Sequence, residues 1–287
     1  MIQMIATLIS KLGIESDYSK RIKYRHAKFW NDINAENIRN MILSAHVPLS
    51  MWKNVENWQR RLSNKYNARE FAKMHGCKVP ALFWRGRDID NINFSSLPEN
   101  YVIRPTIGHS CQSVFLMKKD LNLFEKKTYT IDELKGALKN KINENPRLEF
   151  LIEEFIPNTD GEHKILKDYK IFTFKGNIAA ILVIDRLSPK TGFQSCYTED
   201  WQPIMPMVSA YPVGPYEEPP ACLKDMIADA KRLSRSYEIF VRVDFYASDK
   251  GAVFGEFSPT PIIGNCSTPF ANKLLVSYWD KYCYKLI

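Results

Sequence analysis

Apolar residues recur at two different spacings along this chain, and the change falls near residue 100. Before it, the spacing is helical. Across residues 32–44, Ile33, Ile38, Met41 and Ile42, followed by Ala45, recur at helix-like spacing, which predicts a helix. Val47-Pro48-Leu49-Ser50 interrupts that pattern, and further helical pieces are expected over residues 51–61 and 63–75, with Gly76 as the C-terminal cap of the last. Residues 79–84, Val-Pro-Ala-Leu-Phe-Trp, read as a short strand. Residues 88–98 form a polar connection whose Asp and Asn lack the turn Gly and closing Glu that a calcium loop requires.

After residue 100 strand patterns dominate. Residues 101–105 and 114–117 flank a turn of small and polar residues, 106–113, and predict a hairpin. Thr130 with Glu133 three residues later is a capping box, opening a helix to about residue 143. Strands are expected at 150–156, 169–174 and 178–185, the last two joined through Lys175-Gly176-Asn177. A Pro-rich irregular segment, 201–220, precedes a helix at 222–236. A hairpin of residues 240–246 and 252–257 turns at Asp249-Lys250-Gly251, and a last helix covers 270–284. The fold class is α+β, with no solenoid-type repeat.

With 287 residues, 45% of them hydrophobic, the chain can build a large core or a few lobes around a cleft. Its net charge of +8 suits an anionic partner without choosing one. The basic residues form no long block. The densest runs, residues 20–25 and Arg60-Arg61, are expected as solvated helix faces, and no nucleic-acid partner is expected. Six scattered cysteines show no metal or redox spacing, and five histidines form no zinc motif; reduced thiols in a cytoplasmic protein are expected. Residues 1–10 are apolar but broken by Gln3, Thr7 and Ser10. They predict a short packed helix, with an interface in a homodimer as one use, and no transmembrane segment is expected.

The chemistry concentrates in the last hairpin. Alternation puts Arg242, Asp244 and Tyr246 on one face and Val241, Val243 and Phe245 on the other. Antiparallel pairing can set Glu256 beside Asp244. Two adjacent carboxylates in strands this apolar call for a cation, either magnesium or Arg242 acting as their neutraliser.

Taken in order, several segments resemble the ATP-grasp superfamily, most closely its TupA-like branch, named for teichuronopeptide biosynthesis. They are Lys65-Tyr66-Asn67-Ala68-Arg69-Glu70 with Gly76 and Pro80; residues 97–105; Glu153-Glu154-Phe155; residues 168–172; residues 241–246; and Phe254-Gly255-Glu256-Phe257-Ser258-Pro259-Thr260. The resemblance spans roughly residues 64–264. It implies two α+β lobes sandwiching ATP: a helical region 1–95, a small lobe 96–156 and a large lobe 157–287 carrying the metal hairpin. Arg104 takes the place of a phosphate-contacting Lys. Gly108, His109 and Ser110 belong to the phosphate loop, where His109, Cys111 and Gln112 replace expected glycines. Glu153, Glu154, Phe155 and Ile156 form the adenine-pairing linker, and Lys170 faces phosphate or substrate. Asp244 and Glu256 hold Mg2+, with Ser258 where the superfamily carries Asn. Arg69, Arg242 and Thr260 are implied acceptor contacts, and Arg242 and Lys170 the catalytic cations.

The reaction implied is ligation: ATP phosphorylates a carboxylate acceptor and an amine donor attacks the acyl phosphate. The branch suggests a cell-surface polysaccharide or its precursor as acceptor, and the helical region as a part of the acceptor site. Tyr197, Trp201, Tyr211 and Tyr216 either stack on a sugar or pack the loop. A kinase phosphorylating a sugar hydroxyl and a non-catalytic nucleotide- or glycan-binding protein remain alternatives.

Overall fold

The computed structural model describes residues 15–108 and 111–286. The helix expected over residues 1–10, as well as His109 and Ser110, lies outside them.

Two antiparallel sheets organise the chain. Strands β1 (Leu82–Gly86), β2 (Asn100–Pro105), β3 (Phe115–Lys118), β4 (Leu121–Asn122), β5 (Lys127–Thr128) and β6 (Phe150–Glu154) form the first, in the order β1-β6-β2-β3-β4-β5. Strands β7 (Asp168–Phe174), β8 (Asn177–Arg186), β9 (Gly192–Tyr197), β10 (Phe240–Ser248) and β11 (Gly251–Ser258) form the second, in the order β11-β10-β7-β8-β9.

Helices α1 (Asp17–Trp30), α2 (Ala35–Asn40), α3 (Leu49–Trp52) and α4 (Lys65–Met74) precede the sheets, α5 (Ile131–Glu144) covers the first, and α6 (Leu223–Tyr237) and α7 (Pro269–Tyr282) cover the second. The hydrophobic effect explains the layering. Ile103, Phe150 and Ile152 meet Leu134 and Leu138 of α5. On the second sheet, Ile171, Val241, Val243 and Phe245 meet Met226, Ala230 and Leu233 of α6 together with Ala68 and Phe71 of α4. The opposite face, with Phe172, Phe174 and Phe240, buries Leu275 and Trp279 of α7 and Tyr18 and Ile22 of α1. At about 25 cal/mol per Å2, such two-sided burial is what fixes the central strands.

Several expected elements take their expected form. Thr130 and Glu133 cap α5 reciprocally, Gly76 follows α4 at φ +77°, and the hairpins occupy their expected positions.

Others differ for identifiable reasons. The helix expected over 32–44 is confined to Ala35–Asn40. Beyond it, α4 side chains pin the chain in extended form: Asn67 accepts from the Leu43 N–H (3.0 Å) and donates to the Met41 carbonyl (2.8 Å), and Glu70 accepts from the Ala45 N–H (3.0 Å). The 51–61 helix is instead α3 and a 3-10 turn at Trp58–Ser63, preceded by Asn57 in the left-handed region at φ 55°. The strand read at 79–84 begins after Pro80, at Leu82, and the one read at 150–156 ends at Glu154.

The basic runs are not solvated faces throughout. Arg25, Arg60 and Arg61 are 5%, 5% and 2% exposed. Arg61 donates to the Met51 and Trp52 carbonyls at 2.6 and 2.8 Å, joining the 3-10 turn to α3. Tyr197 stacks on Trp201 at 4.2 Å with both rings buried, which is loop packing. All six cysteines are unpaired thiols, and no helix among the described residues is long and apolar enough to cross a membrane.

Candidate active site

The hairpin of β10 and β11 pairs Arg242 with Ser258 and Asp244 with Glu256, and then shifts register so that Phe245 meets Phe254. Gly255 is the extra residue of this β-bulge. A Cβ there would stand 3.1 Å from both the Asp244 carbonyl and the Tyr246 ring. The bulge therefore lets the backbone close in beside Asp244, and glycine is what fits.

Asp244 is 4% exposed and engaged by two cations. Arg242 donates to both of its oxygens at 2.7 and 2.8 Å and also to the Ser258 hydroxyl at 2.8 Å; Lys170, from β7, donates at 2.7 Å. Burial pushes the Asp244 carboxyl upward, but Arg242 and Lys170 outweigh it and hold the group below the ordinary carboxylate range. Lys170 also lies 3.4 Å from Asp168, which Arg186 grips through two nitrogens. Glu256 is looser: its side chain is 37% exposed, with Arg242 and Lys65 each 4.0 Å away.

The first sheet supplies the opposing wall. Arg104, on β2, pairs with the buried Glu153 of β6 at 2.5 Å and donates across the cleft to the Gly255 carbonyl at 3.3 Å. Burial disfavours the Arg104 charge, yet Glu153 raises its pKa on balance. Glu153 also takes Arg69, at 3.2 Å. Arg69 is 6% exposed and holds Glu70 at 2.7 Å and the Pro80 carbonyl at 2.8 Å, and with Glu153 these contacts clamp α4 to the first sheet.

Glu154 faces the other way, accepts from the Ala81 N–H at 3.1 Å and pairs with Lys250 of the hairpin turn. Phe155 and Ile156, both buried, follow the last ladder residue of β6. Gly108 has φ +126°, a conformation suited to glycine, and its carbonyl accepts from Lys65 at 3.1 Å. Thr260 lies beyond Ser258, its hydroxyl 3.5 Å from Arg60.

Three charged residues join this cluster without having been singled out individually for the site. Lys65 opens α4, its N–H bonded to the Thr106 carbonyl at 2.7 Å and its ammonium reaching both Gly108 and Glu256. Burial lowers its pKa, with Glu256 opposing. Its place inside the Lys65–Glu70 segment was the available signal. Asp168 and Arg186, paired along β7 and β8, are the others; alternation from Lys170 marks Asp168, while Arg186 carries no local signal.

The donor set fits magnesium held jointly with phosphates. Asp244, Glu256 and Ser258 offer oxygen, and magnesium commonly takes one or two carboxylates and completes its shell with water and phosphate oxygens. Among the described residues no group of three or more His, Cys, Asp or Glu converges for a metal alone. Lys65, Arg104, Lys170 and Arg242 around this pair are the charge an incoming polyphosphate needs.

The TupA-like ATPgrasp family model matches residues 45–275. No curated protein is significantly similar in sequence. Among solved structures, the D-alanine–D-alanine ligase from Bacillus anthracis complexed with ATP has a TM-score of 0.50 at 15% identity, covering 77% of this chain and 65% of that one. The Helicobacter pylori D-alanine–D-alanine ligase gives 0.48 at 18%, over 78% and 59%. The L-amino acid ligase from Bacillus licheniformis gives 0.46 at 12%, over 73% and 44%. The chain thus spans somewhat under two thirds of the length of the first of these ligases, and the likeness is one of fold. With a family match over most of its length, and two antiparallel sheets meeting across the Arg104–Gly255 contact, the chain belongs to the TupA-like ATP-grasp family.

Proposed function

We propose that this protein is an ATP- and Mg2+-dependent carboxylate–amine ligase. The observation that carries the reading is the direct cross-strand pairing of Asp244 with Glu256 beneath Lys65, Arg104, Lys170 and Arg242. Asp244 and Glu256, with Ser258 beside them, would hold the metal, whose chemistry is to neutralise and align the phosphates.

The protein's own residues position and stabilise. Arg104, from the first sheet, and Lys65, from α4, both bind phosphate oxygens, Arg104 with a planar fork and Lys65 as a point charge. Phosphates arriving here exchange with the carboxylates that those cations now hold, so binding loosens Arg104 from Glu153 and Arg242 from Asp244. The backbone of Phe155 and Ile156, past the last rung of β6, pairs with adenine, and the loop at Gly108 covers the phosphates. Lys170 and Arg242 stabilise charge on the transferring phosphoryl group.

An acceptor carboxylate oxygen attacks the γ-phosphorus and ADP leaves. The amine nitrogen then attacks the acyl carbon, the C–O bond to phosphate breaks, and the nitrogen gives up a proton as the amide forms. The substrate class we favour is a carboxylate of a cell-surface polysaccharide or its precursor, in keeping with the family's namesake pathway.

A second reading, nucleotide binding without turnover, draws on one observation: Ser258 stands where an Asn ligand is expected, and its hydroxyl is committed to Arg242. Product analysis separates the readings. The ligase releases ADP and inorganic phosphate together, and only with both an acid and an amine present. ADP without free phosphate, in the presence of a sugar alone, would instead identify a kinase.

A further inference from the structure

A groove of about 530 Å3 opens on the helical region that precedes the sheets, a volume within the range of ligand clefts. One wall is α1. Tyr24, Ala27, Lys28 and the capping Asn31 follow helical spacing and so form a single exposed stripe. The opposite stripe, with Tyr18, Ile22, Arg25 and Phe29, is buried. Asp32, Glu56 and Asn57 make the rest of the lining. Asn57 stands in the left-handed region at φ 55°, where it leads into the 3-10 turn, and its side chain makes no capping bond there. None of these residues belongs to the cleft between the sheets.

Two buried arginines fasten the groove to the metal hairpin. Next to Tyr24, Arg25 donates to the carbonyls of Phe240 (2.7 Å) and Pro259 (3.2 Å), tying α1 to the open end of the hairpin. On the other wall, the Arg60 N–H donates to the Asn57 carbonyl at 2.9 Å. The Arg60 guanidinium reaches the Arg25 carbonyl at 3.3 Å and the Thr260 hydroxyl at 3.5 Å, just past Ser258. Each wall thus presents one face to solvent and bolts the other to the strands that carry Asp244 and Glu256. Groove and cleft are held in a fixed relation.

The lining selects a ligand class. Tyr24 is 59% exposed, an aromatic face offered to solvent, and Ala27, one turn along, has only a methyl group to obstruct it. Lys28 pairs with Glu56 at 3.3 Å, so the groove offers no free cation to a phosphate or a uronate. Asp32, with one oxygen on the Asn34 N–H at 2.8 Å, adds a negative charge. Tyr24 and Ala27 are the sole apolar lining, too little for an acyl chain or a partner helix. What remains is one aromatic face ringed by carboxylates that accept and amides that both donate and accept. A neutral sugar ring is the complement, with a C–H face for the aromatic ring and hydroxyls of both senses. We infer that this groove binds a neutral sugar unit of a glycan, Tyr24 stacking on the ring and Asn31, Asp32 and Asn57 taking its hydroxyls. Sugar binding stands on the groove alone; its use, to hold a glycan whose carboxylate reaches the cleft, rests on the ligase reading.

The test is retention of the full chain on an array of immobilised oligosaccharides: neutral, mixed neutral–uronic and purely uronic. Wild type should be held by neutral or mixed glycans. Tyr24→Ala should weaken that binding about tenfold, the scale of one stacked ring, Asn31→Ala should weaken it less, and Tyr24→Trp should keep it. Tyr24 and Asn31 are exposed, so these variants should fold as wild type does. The Asp244→Asn/Glu256→Gln double variant should still be held. Four results would overturn the groove: no glycan holds wild type, binding survives Tyr24→Ala unchanged, purely uronic glycans alone are held, or the double variant loses binding as Tyr24→Ala does. A Tm rise with Mg2+ and a non-hydrolysable ATP analogue, measured alongside, should be equal in wild type and Tyr24→Ala. Its absence in folded wild type would defeat the ligase reading and leave sugar retention standing, so the two failures are distinct.

Discussion

The hairpin cleft and the region behind it are both rich in buried arginine, yet they differ in electrostatics. In the cleft each guanidinium sits on a carboxylate. Around Arg25 and Arg60 the partners are carbonyls and hydroxyls. The difference bears on what each region can bind. A cluster of paired charges accepts a ligand that brings both signs, as a magnesium-bound polyphosphate does, because it can exchange partners without stranding a charge. A region with cations alone favours a bare anion.

Mutation breaks the comparison most directly. Glu153→Ala strands Arg104 in the interior, leaves Arg69 with Glu70 as its one carboxylate, and is expected to cost about 3–5 kcal/mol in urea unfolding. Arg60→Met strands no carboxylate and should lie within about 1 kcal/mol of wild type, the scale of one hydrogen bond. Equal losses in the two variants would erase the distinction between the regions.

Acid sharpens it next. Because the folded pKa of Asp244 is depressed, its stabilisation is present above the unfolded pKa and is lost as pH falls through the folded value. The stability advantage of wild type over Asp244→Asn, followed by Tm, should therefore shrink as pH drops below the ordinary value of 3.8. An advantage constant down to low pH would mean that the pairing does not hold the proton off.

A smaller effect is expected at the bulge. Gly255→Ala presses a methyl group against the Asp244 carbonyl and should cost about 1–3 kcal/mol, with a reduced nucleotide-dependent Tm shift; an unchanged shift would separate the bulge from the site. Smallest of all, Thr130→Ala removes the cap of α5, remote from both regions. It should cost about 1 kcal/mol and leave nucleotide binding untouched.

Legibility in the sequence followed the range of the interactions. That Asp244 and Glu256 share one hairpin could be read because its short turn is local, whereas their direct pairing depends on the bulge at Gly255, without which the register would set Gly255 opposite Asp244. The capping box was legible for the same reason. The limits of α2 were not, since Asn67 and Glu70 hold residues 41–45 extended from outside that segment. Helix α1 carries a buried stripe of Tyr18, Ile22, Arg25 and Phe29 that its many cations disguised as surface. Arg60 resembled a solvated residue because its contact with Thr260 spans 200 positions. Strand β9, with the polar Gln194 buried in it, lacked an apolar run. Family resemblance supplied what local pattern could not: the joining of Arg104, on one sheet, to the hairpin of the other.

The central claim is that Asp244 and Glu256 make a magnesium–nucleotide site. Its most direct test is the melting temperature of wild type and of the Asp244→Asn/Glu256→Gln double variant, with a non-hydrolysable ATP analogue in the presence and absence of Mg2+. A rise that needs Mg2+ and is confined to wild type is the predicted result. A folded wild type that does not respond, or a double variant that responds equally, would contradict it.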